Sequence, residues 1–281
     1  MKENEKIIDR WIESATYWEK HRDTIDAMFA PVTQALIQDG AAGQVAGKTI
    51  LDVATGQGEP ALTLARLAGP TGSIFGVDPV PAMVEAARRE ATRRQLTNVQ
   101  FQVAFADSLP FPANTCDVVL SRFGVMFFPS PLEGIREMLR VLKPGGGIAA
   151  AVWGFADRNP FHYIFSRVMD RYVPSPPPEP GALDAFRFAV PGELLNVFQM
   201  AGAVETSERL VQFQIQTSLS PEDFWTMRCD ISEKFRSKLA GLTADQAAEV
   251  QQEVLTATRT HSANDLISFP AEIHVVSGRK L

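Results

Sequence analysis

Apolar positions change their period several times along the chain, and each change marks an element. Between residues 7 and 38, Trp11, Ala15, Trp18, Ile25, Phe29, Val32 and Leu36 recur at helical spacing, which predicts one or two amphipathic helices broken at Pro31. Short apolar runs then alternate with helical patterns. The runs predict strands at 49–54, 73–77, 99–104, 117–121 and 147–153, and the patterns predict helices near 60–68, 80–95 and 131–142. Such alternation is the signature of a doubly wound, Rossmann-like, mostly parallel α/β sheet. Pro60 falls near a first helical turn, where a missing N–H matters little.

Beyond Trp153 the rhythm breaks. "VPSPPPEPG" (173–181) reads as a stiff extended connection inside an insertion. Segments 191–202 and 221–257 read as helices, and "VQFQIQT" (211–217) and "AEIHVVSG" (271–278) alternate like antiparallel strands. The expected organisation is an amino-terminal helical cover (1–46), a ligand-binding core (47–153), and helical lid insertions with the last strands (154–281), the final strand antiparallel.

Composition narrows the function. With 281 residues, 45% hydrophobic and 21% charged, the chain can bury one substantial core with an appended subdomain. No apolar run reaches membrane-spanning length, and "MKENEKIIDR" lacks the apolar core of a signal peptide, so a cytoplasmic protein without membrane insertion is expected. Cys116 and Cys229 form neither a metal spacing nor a disulfide framework, and no metal site is expected. A net charge of −6 argues against a nucleic-acid partner. The local cluster Arg88, Arg89, Arg93 and Arg94 reads as a solvated helix face, because Met83, Val84, Ala87 and Leu96 supply the buried side.

The chemistry concentrates at strand ends, where open parallel sheets hold their ligands. "TILDVATGQGEPALTLARL" (49–67) reads as strand, tight turn and helix, and Gly56, Gly58 and Ala61 fit the dinucleotide fingerprint. Asp78 stands twenty residues beyond Gly58, the separation at which an acid reaches a ribose hydroxyl pair. NAD and S-adenosylmethionine both carry that ribose. Asp52 and Glu59 place carboxylates where a pyrophosphate would be repelled, whereas a sulfonium and an ammonium are attracted. Asp107, after the third strand, is placed to accept from an adenine amino group while the Ser108 N–H meets a ring nitrogen.

Four stretches, "LDVATGQG" (51–58), "GVDPVPAMVEAAR" (76–88), "ADSLPFPANTCDVVLSRFGVMFF" (106–128) and "LRVLKPGGG" (139–147), give the chain its likeness. In order and spacing it resembles the class I S-adenosylmethionine-dependent methyltransferases, in particular the branch of the ubiquinone/menaquinone-biosynthesis methyltransferases, over about residues 47–153. The resemblance implies that Asp52, Ala54, Thr55, Gly56 and Gly58 cradle the methionine end and that Asp78 and Pro79 meet the ribose. It further implies that Met83 packs on adenine, that Asp107 and Ser108 read its edge, and that Ser121, Arg122 and Phe123 pass beneath the sulfonium. The loop departs from the family in reading Asp-Val-Ala-Thr where a further glycine is common, and alanine and threonine are small enough to serve. "KPGGG" is read as a structural turn into the fifth strand.

The expected reaction is in-line transfer of the sulfonium methyl group to a small organic acceptor with a hydrophobic portion, releasing S-adenosylhomocysteine. The accepting atom, O, N, S or C, is left open, as is the oligomeric state. Should the acceptor need a general base, His162 and His21 are the candidates. His261 and His274 are read as structural. Tyr17, Trp18, Phe123 and Phe127 are candidate acceptor contacts, while Trp11 and Trp18, seven apart, also fit a buried stripe. The rivals are a protein that binds S-adenosylmethionine without turnover and an NAD-dependent oxidoreductase. Methylation of RNA or protein is disfavoured by the acidic balance and by Ser121-Arg122-Phe123-Gly124 standing where nucleobase-methylating enzymes carry an Asn/Asp-Pro-Pro-aromatic motif.

Overall fold

The computed structural model describes residues 2–175 and 183–281. The 173–181 connection therefore lies, from residue 176 on, outside the described residues. Five parallel strands come from the expected runs: β1 (Thr49–Val53), β2 (Ser73–Asp78), β3 (Val99–Val103), β4 (Cys116–Arg122) and β5 (Leu142–Trp153). Ile50, Leu51, Val118, Val119, Ile148 and Val152 are almost wholly buried, as strands covered on both faces require. Helices α3 (Ala61–Ala68), α4 (Pro81–Arg93) and α5 (Pro131–Val141) make the crossovers. After β5 come α6 (Pro160–Tyr172), α7 (Glu193–Ala201) and β6 (Val204–Thr217). Then α8 (Pro221–Ile231), α9 (Glu233–Ala240) and α10 (Ala244–Arg259) lead to β7 (Ser262–Ala263) and β8 (Leu266–Arg279).

The sheet runs β3-β2-β1-β4-β5-β8-β6, with β7 on β8. The final strand, β8, is antiparallel to both β5 and β6. Order reverses between β1 and β4, so a crevice opens at their carboxyl ends. This is the expected Rossmann-like architecture with helical insertions.

Three local expectations are corrected. The amino-terminal segment breaks at His21 rather than at Pro31, giving α1 (Lys2–Lys20) and α2 (Arg22–Ala41) with Pro31 inside α2. Val32 and Leu36 are fully buried beyond the proline, so tertiary packing holds α2 through it. The helical stretch 221–257 is three helices: the Ser232 hydroxyl accepts the Phe235 N–H at the start of α9, and Thr243 and Gln246 form a capping box at the start of α10. The arginine cluster is more than a solvated face. Arg94 bonds Glu59, Glu90 and Asp26, and Glu90, 4% exposed, also pairs with Arg22 of α2 at 2.9 Å.

Two glycines meet where α2 crosses the sheet. A Cβ on Gly147, in β5, would overlap the Gly40 carbonyl, so close approach of backbones demands glycine there. The structural reading of the "KPGGG" turn agrees with this packing.

Candidate functional site

The turn after β1 is held from two sides. Its Thr55 N–H donates to the Val77 carbonyl (2.9 Å) and its Gly56 N–H to Asp78 Oδ2 (2.9 Å). Asp78 Oδ1 accepts the Val80 N–H (2.9 Å) ahead of α4. Burial pushes this carboxyl up to about 6 against those two hydrogen bonds. Each oxygen keeps lone-pair capacity, because a carboxylate has more acceptor sites than two backbone N–H groups fill. Gly58 has a φ of +117°, and a Cβ on it would come within 2.6 Å of Leu62 Cδ1. Its role is to let α3 turn tightly away.

A cavity of about 500 Å³ opens above this turn and runs under α1, α6, α8 and α9. Of the residues expected at the methionine end, Ala54, Thr55 and Gly56 line it. Asp52 and Gly58 do not. Asp52 is fully buried, its Oδ2 accepting the Ala61 N–H at 3.2 Å and its Oδ1 unpartnered, and burial pushes it up to about 7. Its side chain leaves the strand toward α3, so it supports the turn from beneath.

Three further residues line the cavity beside the turn. Gln57 lines the cavity, accepts from Arg22 Nε (3.2 Å) and donates to the Trp18 carbonyl (2.8 Å). Glu59 lines it while pairing with Arg94 at 2.8 Å. Asp26, pushed up to about 6 by burial and the nearby Glu59, also faces it. The sequence already placed the Glu59 carboxylate at this turn, whereas Asp26 carries no local signal.

Along the expected nucleoside side, Asp78, Pro79, Met83 and Asp107 line the cavity. Met83 is 4% exposed and packs with Ala15 and Val80. Ser108 is not on the wall, and its N–H already donates to the Phe105 carbonyl at 3.2 Å, closing a turn. Ser121 is likewise off the wall, fully buried, its hydroxyl without a partner, whereas Arg122 and Phe123 line it.

At the far end the walls become aromatic. Phe123, in the left-handed region at φ 59°, stacks on Trp153 with centroids 4.4 Å apart and planes 6° apart. Phe29 meets Phe123, Trp153 and Phe161 edge to face. Trp11, Trp18 and Phe127 also face the cavity. Tyr17 does not: Arg236 covers its ring at 4.6 Å.

The two histidine candidates separate. His21 lies off the wall and pairs with Asp230 Oδ2 at 2.7 Å, tying the α1–α2 junction to α8. His162 lies on the wall, its ring edge-on to Trp153 at 4.5 Å and its Nε2 buried without a partner. Burial, helped by the nearby Arg228 charge, holds it well below the usual imidazole value. His274, buried against Glu208, and His261, against Phe269, sit in packing positions.

The cavity can thus accept a cationic, ribose-bearing ligand at its acidic end and an apolar body at the other. Among the described residues no cluster of histidine, cysteine or acidic side chains could hold a metal ion, and no helix is long and apolar enough to cross a membrane.

Sheet order and the crevice at the β1–β4 switch point are those of a Rossmann-like methyltransferase fold with helical insertions. Residues 50–146 match the family model of a methyltransferase domain. The ubiquinone/menaquinone biosynthesis C-methyltransferase UbiE of Pseudomonas putida is 37% identical over 131 residues, which are 46% of this chain and 50% of that protein. The chain thus spans about half the length of such curated relatives. A chain from the Haloferax volcanii complex between the Trm112 methyltransferase activator and a methyltransferase superposes with a TM-score of 0.54 at 21% identity, covering 98% of both chains. The phosphoethanolamine N-methyltransferase 2 of Haemonchus contortus, solved with phosphomonomethylethanolamine and S-adenosylhomocysteine, gives 0.57 at 15% identity, covering 96% of this chain and 59% of that one. At these identities the superpositions speak for the fold.

Proposed function

We propose that the chain is a methyltransferase that moves the methyl group of S-adenosylmethionine to a small organic acceptor with an apolar portion. The observation that carries this reading is the cavity's acidic end, where Asp26, Glu59 and Asp78 converge on the β1–β4 switch point. Such an end favours a sulfonium and an ammonium and opposes a pyrophosphate. Asp78 would accept the ribose hydroxyls, Met83 would pack against adenine, Asp107 would accept its amino group, and Ala54 to Gln57 would receive the methionine end. When bound, S-adenosylmethionine supplies an activated methyl carbon, and in-line attack forms the bond to the acceptor as the C–S pair returns to a neutral thioether.

The chain's own contribution is alignment and exclusion of water. Phe123 and Trp153 give the acceptor a flat surface, and Trp11, Trp18 and Phe127 close the cavity from above. His162, held neutral, offers an unpartnered ring nitrogen to the acceptor and takes up a proton only where the acceptor is acidic enough to release one to a weak base.

Calorimetric titration with S-adenosylmethionine, S-adenosylhomocysteine and NADH, followed by an acceptor screen for S-adenosylhomocysteine release, tests the reading. Binding of the first two with turnover of an acceptor is expected. Binding without turnover of any acceptor would point to a non-catalytic binding protein, and binding of NADH alone would overturn the proposal.

A further inference from the structure

Arg228 lines the cavity wall, and methyl transfer to an unspecified acceptor gives it no role. It projects from α8, is 4% exposed, and lines the far end of the cavity. Among the described residues, none of its guanidinium N–H groups donates to a carbonyl or side chain, and its Nε is buried without a partner. Of the acids on the wall and on α8, none bonds to it among the described residues, Glu233 at the start of α9 included. On α8, Glu222 pairs with Arg259, Asp223 bonds Ser220, and Asp230 holds Lys20 and His21. Across the cavity Asp170 pairs with Lys238 at 2.5 Å, and Asp184 accepts the Phe186 N–H at 2.9 Å.

In place of an anion, Arg228 has aromatic faces. Its guanidinium stands 4.0 Å from the Phe161 ring centre, with Phe165 and Phe235 at 5.3 and 5.6 Å. Ring faces offset part of the loss of water but give the N–H donors no acceptors. Burial accordingly draws the guanidinium down to about 9. Buried cations are otherwise paired, and one left with its donors free at a cavity wall is complementary to an anion that arrives with a ligand.

We propose that the methyl acceptor is an organic acid, its anionic oxygens held by Arg228 and its aromatic body resting on the Trp153–Phe161 wall. The inference rests on the methyltransferase reading of the same cavity. On this reading the carboxylates at the turn serve the cationic cofactor, and Arg228, without a hydrogen-bond or ion-pair partner among the described residues, serves an anionic acceptor. Phe161 and Trp153, with planes 16° apart, form the surface between that cation and Phe123.

The test uses the full chain saturated with S-adenosylhomocysteine. The probes are 1-naphthoate, 2-naphthoate and anthracene-2-carboxylate, each compared calorimetrically with its neutral carboxamide of the same shape. At least one acid is expected to bind tenfold or more tightly than its amide. Arg228→Met should abolish that preference while leaving amide and S-adenosylhomocysteine affinities within twofold, and Arg228→Lys should recover part of it. Arg228→Met should also melt no lower than the parent, because it removes a buried charge without a counter-ion.

Equal binding of acids and amides, no binding by any acid, or a preference that survives Arg228→Met would overturn the proposal. Loss of S-adenosylhomocysteine binding only in Arg228→Met would overturn it too, by placing the guanidinium on the methionine carboxylate. Failure of the parent chain to bind S-adenosylhomocysteine at all would instead sink the underlying methyltransferase reading. The acid–amide comparison on the parent needs no variant, so it decides even where a substitution unfolds the chain.

Discussion

Asp78 holds the turn with both oxygens of one carboxylate. These pin Gly56 and Val80, and on the proposed reading its remaining lone pairs would accept a ribose. Asp78→Asn should weaken S-adenosylhomocysteine binding by about 1.5–3 kcal/mol, the usual worth of a hydrogen bond to a charged group, as read by calorimetry. Because the free carboxyl sits at about 6, parental affinity should rise as pH increases through 6, with about tenfold from pH 5 to 7.5 contributed by Asp78, and the variant should show a shallower profile that keeps only the contribution of Asp26, also at about 6. The place of Asp78 on the cavity wall was legible from its separation from the glycine turn, and that of Met83 came with the family resemblance. Asp52 and Ser121 lie off the cavity wall, because a motif position names a residue on the strand but not the side of the sheet it enters. Arg228 was illegible for a different reason: its missing counter-ion is a property of folded surroundings, and nothing beside it in "WTMRCD" signals that lack.

At the scale of elements, the crossing of α2 over β5 depends on two facing glycines. Gly147→Ala would force α2 away from the sheet, and overpacking of this kind is expected to destabilise by about 1–3 kcal/mol, seen as a lower urea midpoint. Gly145→Ala, at φ +74° but with open space around the added carbon, should lose only about 1 kcal/mol. The core strands were readable from their apolar runs because both faces are buried, and α3 to α5 followed from amphipathic spacing. The ends of helices were less so. Pro31 announced a break that packing of Val32 and Leu36 overrides, while the real break at His21 has neither proline nor glycine and is held by a contact to Asp230, 209 residues away.

For the molecule as a whole, buried acids make stability depend on pH in an unusual direction. Asp26, Asp52 and Asp78 keep their protons to about 6, 7 and 6 when folded, against about 3.9 in an unfolded chain. Between about pH 4 and 7 the folded state therefore binds more protons than the unfolded one, and these groups make stability fall as pH rises. Glu90 acts oppositely: its arginine partners, Arg93 foremost, hold it down to about 2, so its contribution is present above its usual range and lost as pH falls through 2. Melting temperature is expected to decline from pH 5 to 8, and Asp52→Asn to flatten that decline. A melting temperature that climbs over the same interval, or is indifferent to Asp52→Asn, would contradict the burial assigned to these carboxyls. The cover above them is not loosely attached, since Gln57 of the glycine turn donates to the Trp18 carbonyl and Trp18 Nε1 donates to the Ile231 carbonyl at 3.2 Å. That arrangement has an optical corollary. Of the four tryptophans in the chain, Trp11, Trp18 and Trp153 face the cavity, so the protein's own ultraviolet emission is dominated by indoles that a ligand would touch. Occupancy of either half should change its intensity and colour, and titrations can be followed without attaching a dye.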